Sequence, residues 1–336
     1  MRSRQQRILA SPYYRNNQFQ NLYPTAMLQA NSMVSTLRRQ FFGKEQRRPT
    51  KPLPSAWPGQ RFHQTPPASG LRVTWLGHST LLIEFAGITL LTDPVWAKHL
   101  SPVQGIGPQR FQTAPIALEQ LPAIDLVLLS HDHYDHLDKQ TIRWLARGSM
   151  PFVTALGVGE HLERWGIASS RIHELDWWEE LHLAEFGLTI AAVPAQHFSG
   201  RGLKRNSTLW ASWVVMSQNS RIYVGCDSGM FAGFNDIGQR YGPFELATLE
   251  MAQYDIAWPG VHMQPEEALQ AAEMLQARTM LPVHWGAYCL SLHAWDEPIE
   301  RLLKAAHASP ISILTPQLGQ PVEPSQPEHL TEWWRD

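Results

Sequence analysis

Cysteine is scarce in this chain: Cys226 and Cys289 are the only two in 336 residues. Two thiols cannot build a disulfide framework, so a stapled secreted scaffold is excluded and a reducing, cytoplasmic setting is the plain reading. Long apolar runs are missing as well. No stretch approaches the roughly 18 apolar residues of a membrane span, which excludes an integral helical membrane protein. Met1–Arg7 lacks an apolar signal core, which points away from Sec-type secretion. Acidic residues are nearly absent from the first 72 positions, where Glu45 stands alone against twelve Lys or Arg, a local charge of +11. The whole chain carries −2, so the remainder carries −13. With 43% hydrophobic and 17% charged residues, wholesale disorder is excluded.

The basic segment reads as an N-terminal extension, residues 1–70. It is rich in Arg, Gln, Asn and Pro, with six prolines between Pro49 and Pro67. A basic arm ahead of an acidic body either meets an anionic surface or is simply solvated. Within it Met27, Leu28, Val34, Leu37, Phe41 and Phe42 recur at roughly helical spacing, followed by basic residues. Such a helix either packs on the protein body or lies on a lipid surface. An Arg-rich, acid-poor arm also fits a mitochondrial transit peptide.

From Leu71 the pattern changes. Leu71–Trp75, Thr80–Phe85 and Ile88–Thr92 read as strands between Gly turns, and residues 124–130 as a buried strand. Further strands are expected over Leu188–Val193, Leu209–Val215, Arg221–Cys226, Thr279–Val283 and Ile311–Leu314. Helices are expected over Lys139–Ala146, Gly157–Trp165, Gly233–Arg240 and Glu266–Ala277. Neighbouring strands first, then strands alternating with helices, predict an α/β fold of two packed sheets with helices outside. The expected division is the extension 1–70, a domain 71–320 and a C-terminal tail 321–336.

The chemistry is concentrated in His131-Asp132-His133-Tyr134-Asp135-His136, an H-x-H-x-D-H pattern directly after the buried strand. Histidines two apart on an extended strand end point to one side and can bind one metal. Asp135 and His136, beyond the turn, can face a second ion. Two sites need further donors, and three candidates follow buried strands: His197, Asp227 and His284. A carboxylate such as Asp227 can bridge two cations; a neutral imidazole cannot.

These residues make the chain resemble a metallo-β-lactamase-superfamily hydrolase, with the αββα four-layer sandwich as its expected fold. It resembles in particular the N-acylphosphatidylethanolamine-hydrolysing phospholipase D family and its bacterial relatives. The narrower likeness rests on Thr74–Thr80, Leu91–Pro94, Gly107–Phe111, Leu175–Glu180, Tyr241–Phe244, His262–Ala268 and His284–Gly286. The resemblance implies two zinc ions per chain: His131, His133 and His197 on one, Asp135, His136 and His284 on the other, and Asp227 bridging. Imidazole and carboxylate donors equally suit iron or manganese. It implies that His78 and Asp93 orient ligands, that Asp135 or Asp227 orients a metal-bridging hydroxide, and that Tyr134 and His262 contact substrate. The last two could equally be a packed aromatic and a helix-entry residue.

The implied activity is that of a lipid-metabolising phosphodiesterase of phospholipase D type. A metal-dependent lactonase and a nuclease of the same superfamily are the rivals, though no dedicated nucleic-acid motif is present. A phospholipid or other small phosphodiester is the expected substrate. Peripheral contact with an anionic inner-membrane surface through the basic arm and a homodimer are compatible partners. Fourteen tryptophans would suit a lipid interface, with core packing expected for most. The chain departs from the family pattern at Cys226, which is either a metal contact or a buried filler, and over Leu249–Trp258, which borders the substrate region.

Overall fold

A computed structural model describes residues 3–25, 32–103, 105–202, 204–327 and 330–335, without the side chains of residues 32–34. The N-terminal segment holds α1 (Arg4–Ala10), a hairpin of β1 (Tyr14–Arg15) and β2 (Gln18–Phe19), and α2 (Ser32–Phe42). The first sheet follows with β3 (Leu71–Gly77), β4 (Thr80–Phe85), β5 (Ile88–Thr92), β6 (Leu126–Leu129), α3 (Lys139–Leu145), β7 (Phe152–Ala155), α4 (Gly159–Arg164) and β8 (Ile172–Leu175). The second comprises β9 (Glu180–Leu183), β10 (Leu188–Val193), β11 (Ser212–Met216), β12 (Arg221–Val224), α5 (Gly233–Tyr241), β13 (Phe244–Glu250), α6 (Pro265–Met274), β14 (Ala277–Val283), α7 (Glu297–Ala306) and β15 (Ser312–Ile313). The chain then returns to the first sheet as β16 (Pro321–Val322).

Each sheet has seven strands, in the orders β16-β3-β4-β5-β6-β7-β8 and β15-β14-β13-β12-β11-β10-β9. Both are built alike. An antiparallel meander (β3–β5; β9–β12) passes into a parallel half (β5–β8; β12–β15). Parallel neighbours need crossovers, and most of the crossovers carry one helix each. Strands covered on both faces read as continuous apolar runs; β6, Leu-Val-Leu-Leu, is buried throughout. The architecture is the expected αββα sandwich.

Two alternating reversals make β3, β5 and β6 run in one direction in the first sheet. By the same count β10, β12, β13 and β14 share a direction in the second. Their C-terminal ends present the residues of interest.

The ends of the chain differ from expectation. The described part of residues 321–336, set apart from sequence as a tail, is built into the fold: β16 pairs with β3, and Trp333 is 1% exposed within the main core. Trp333 stacks on Trp285, which stacks on Trp75. The N-terminal arm is no free extension either. Phe19 is fully buried in the core, and Arg4 pairs with Glu163 and Glu174. Helix α2 is tied to the body by Arg39 Nη1 donating to Asp255 Oδ2 at 2.7 Å, yet Phe41 and Phe42 stand 75% and 79% exposed. Met27 and Leu28 lie outside the described residues, as does the side chain of Val34. All fourteen tryptophans are buried or half-buried, so their number reflects packing.

Candidate metal centre

Six strand ends supply the site. His78 follows β3, Asp93 follows β5, and the 131–136 segment follows β6 across Ser130. From the second sheet, His197 stands beyond β10, Asp227 beyond β12 and His284 directly after β14. The sheets are joined here by the His284 N–H donating to the His78 carbonyl at 3.1 Å.

The expected donors converge in two sets. In the first, His131 Nε2 lies 2.8 Å and His197 Nε2 3.3 Å from His133 Nδ1, with Asp227 Oδ2 3.7 Å from His197 Nε2. In the second, His136 Nε2 and His284 Nε2 are 3.3 Å apart. Asp135 Oδ2 is 3.5 Å and 3.3 Å from those nitrogens, and Asp227 Oδ2 3.1 Å and 3.0 Å. Asp227 therefore stands between the sets. Within each set the donor atoms lie within 4.8 Å of one another.

Outer partners fix which nitrogen is free in three of the rings, those of His131, His136 and His197. Asp93 Oδ1 accepts from the Ser130 N–H at 2.8 Å, and Oδ2 accepts from Ser130 Oγ at 2.6 Å and from His136 Nδ1 at 2.8 Å. With its hydroxyl proton on Asp93, Ser130 Oγ is left to accept from His131 Nδ1 at 2.9 Å. His197 Nδ1 donates to the Val261 carbonyl at 2.9 Å. Nε2 of each of these histidines is thus free to face the centre. Such partners raise the basicity of metal-binding imidazoles and hold their orientation.

This arrangement fits divalent cations. The bare nitrogens of His131 and His197 both face His133 Nδ1, and one proton there cannot satisfy both. Asp227 Oδ1 is buried without a hydrogen-bond partner. A cation answers both demands. The donor set, imidazole and carboxylate without thiolate, is one that zinc, iron and manganese all accept.

Protonation follows the same division. Burial holds His131, His133 and His197 below the ordinary imidazole value, well below for His131 and His197. Burial also opposes charge at His136 and His284, but Asp227 and Asp135 overrule it: His136 lies well above its usual value and His284 is raised to about 10. Against the same burial, His136 holds Asp135 and Asp227 well below the usual carboxylate range. A metal-free centre therefore stores protons that an arriving cation must displace.

The remaining candidates fall around this core. His78 Nε2 sits 3.0 Å from Asp135 Oδ2, and the ring can join Asp135, His136 and His284 in one donor group as readily as it can orient them. His262 is held by Glu250 Oε1 at 3.2 Å and stacks on His284 at 5.2 Å, on the wall of a cavity of about 300 Å³. Tyr134 lies under the Arg201 guanidinium at 4.0 Å, and its hydroxyl donates to the Arg201 carbonyl. Cys226 Sγ meets His131 at Nδ1, the nitrogen turned from the centre, 3.5 Å away. It is a buried filler rather than a donor to the metal.

Sequence reading missed Ser130, Glu250 and Asn21. Ser130 had a signal, being wedged between the strand and the motif. Glu250 caps β13, whose end points to the same edge; its Oε1 also accepts from the Ser228 and Met263 N–H groups. Asn21 has no signal, because its partner is 176 positions away.

A family profile described as "Beta-lactamase superfamily domain" matches residues 89–285, more than half of the chain. The chain belongs to the metallo-β-lactamase superfamily. Within the superfamily, it is 44% identical over 331 residues to an uncharacterized Mycobacterium tuberculosis protein, covering 97% of this chain and 88% of that one. It is 34% identical over 268 residues to the N-acyl-phosphatidylethanolamine-hydrolyzing phospholipase D 1 of Caenorhabditis elegans, covering 75% of each. Among solved structures, the fold matches that of an isothiocyanate hydrolase from Delia radicum gut bacteria, with a TM-score of 0.61 at 24% identity, covering 75% of this chain and 98% of the other. The chain is a metal-dependent hydrolase of the superfamily.

Proposed function

We propose that this superfamily member is a zinc-dependent phosphodiesterase of phospholipase D type. It cleaves N-acylated ethanolamine phospholipids into phosphatidic acid and N-acylethanolamine. The observation that carries the reading is the pair of donor sets meeting at Asp227, whose Oδ1 lacks a protein partner. The likeness to the nematode enzyme over three quarters of both chains supports the substrate class.

His131, His133 and His197 would hold one cation, Asp135, His136 and His284 the other, and Asp227 would span both. Bound there, the metals supply Lewis acidity for phosphoryl oxygens and activate water at neutral pH. Asp93, Ser130 and the Val261 carbonyl keep the ring protons on the outer nitrogens. Asp135 and Asp227, kept ionised, orient the attacking water.

The same reading puts the chain at the cytoplasmic face of an anionic membrane. No helix among the described residues is long and apolar enough to cross a membrane. Leu37, Phe41 and Phe42 of α2 and Ile256, next to the Asp255 that anchors α2, are exposed apolar groups. Arg38 and Lys44 stand exposed among them. Aromatic and basic groups together suit a charged lipid interface.

The test combines metal removal with a substrate panel. Chelated and zinc-restored protein is assayed on N-acyl phosphatidylethanolamine vesicles, a simple aryl phosphodiester and a lactone. Zinc-dependent release of N-acylethanolamine is expected. Lactone turnover without phosphodiester hydrolysis, or activity that survives complete metal removal, overturns the proposal. Co-sedimentation with anionic vesicles is expected at low salt and should weaken at high salt; no binding at low salt removes the membrane part.

A further inference from the structure

We infer that Asn21, on the N-terminal strap, is a positioning residue for the metal centre that holds the backbone of His197 in place. This rests on the reading of His197 as a metal donor.

His197 is carried by residues 194–211, a long connection between β10 and β11. Such loops need outside support to hold a side chain to a few tenths of an ångström. Asn21 supplies it at two points. Its Oδ1 accepts from the His197 N–H at 3.1 Å, and its Nδ2 donates to the His197 carbonyl at 2.9 Å. The second Nδ2 hydrogen goes to Thr25 Oγ1 at 3.1 Å. The amide oxygen and both N–H groups of the side chain are thereby engaged, and the pair of bonds fixes the peptide groups on both sides of the His197 Cα. The Val261 carbonyl then sets the ring. Backbone and imidazole are secured by different parts of the chain.

The strap is anchored on either side of Asn21. Phe19 is wholly buried, and its N–H donates to the Asn206 carbonyl at 2.8 Å, on the same connection as His197. Upstream, Arg4 and Arg7 fasten α1 to Glu163, Glu174 and Glu179. Downstream, the Tyr23 ring meets Phe231 at 6.1 Å, four residues beyond Asp227. The strap thus lies across two of the connections that carry metal donors. The partners of His131 and His136 come from the sandwich itself; Asn21 comes from outside residues 71–320.

Asn21→Leu keeps the branched shape of the side chain and removes both hydrogen bonds to His197. Asn21→Asp keeps the acceptor for the His197 N–H but sets a carboxylate oxygen against the His197 carbonyl. Cobalt(II) is titrated into the chelated full-length protein and followed by its visible spectrum, with zinc affinity from chelator competition. Thermal unfolding of the chelated proteins is recorded in parallel. The expected result is a loss of about 10- to 100-fold in affinity for one of two cations, with an altered cobalt spectrum for that cation. The metal-free melting curve should stay near that of the unmodified protein, and Asn21→Asp should be at least as impaired as Asn21→Leu. If both variants bind two cations with unchanged affinity and spectra, the inference on Asn21 fails while the metal centre stands. If the unmodified protein binds no divalent cation, both fall.

Discussion

Exchanging Asp93 for asparagine alters one atom and should undo two metal donors. Oδ1 would go on accepting the Ser130 N–H, so the new NH2 group takes the place of Oδ2. It then faces His136 Nδ1 at 2.8 Å and Ser130 Oγ at 2.6 Å, both of which had been giving it protons. His136 can accept this hydrogen bond only by moving its proton to Nε2. That is the atom 3.1 Å from Asp227 Oδ2 and 3.3 Å from His284 Nε2. Ser130, deprived of its acceptor, turns its hydroxyl toward His131 Nδ1 and drives the same exchange there. Loss of one such orienting partner costs about 10- to 100-fold in metal affinity, or ~1.4–2.7 kcal/mol. Here one substitution affects a histidine in each donor set, so both cations should weaken by that factor. Chelator competition, with metal counted by mass spectrometry, reads the effect, and circular dichroism confirms that the fold is retained. Unchanged affinity for both cations in a folded Asp93→Asn protein would refute the assignment of ring protons.

Three further outcomes are expected. Chelated protein should be most stable near pH 6.5. Above it the unfolded chain gives up protons that the raised His136 and His284 still hold, so folding weakens as pH climbs toward their own values, while below it the lowered His78, His131, His133 and His197 favour the unfolded chain, which binds protons more readily; a melting temperature flat from pH 5 to 9 contradicts this. Trp333→Ala should cost about 3–5 kcal/mol in urea unfolding, because a fully packed ring stacked on Trp285 leaves a cavity; a neutral effect would return residues 321–336 to the status of a tail. Arg72→Met strands the buried Glu84 carboxylate with only His63 beside it and should cost about 3–5 kcal/mol. Adding Glu84→Gln should recover part of that loss, and a double variant no better than the single one would show that the stranded charge is not the cause.

The centre was legible in sequence to the extent that its chemistry was local. His131 to His136 announce themselves because four donors lie within six positions after a run of buried residues. His197, Asp227 and His284 could be picked out because parallel strands end in loops at one edge, so a donor after a buried run is presented there. Asp93 came only through the family resemblance, carried by the Leu91–Pro94 motif. Asn21 could not be found, since nothing in its neighbourhood refers to a residue in the second sheet. Short elements also escaped. Two residues, Pro321 and Val322, carry no periodicity, so β16 and the tryptophans after it looked like a tail. Strand β13 was missed because Glu245, Thr248 and Glu250 interrupt its apolar run; α7 was overlooked despite its amphipathic spacing. The charge asymmetry was seen, but not that part of the arm's charge is engaged by acids of the body through Arg4, Arg7 and Arg39.

Because the donors are divided between two sheets, with His78 to His136 on one side and His197 to His284 on the other, neither half alone can retain a cation that both ligate. Spreading of the halves would break coordination before either half lost its own ladder of strands. The rate at which a bound divalent cation escapes to a chelator should therefore serve as a clock for breathing of the sandwich. It would report an opening too rare to register in the average structure.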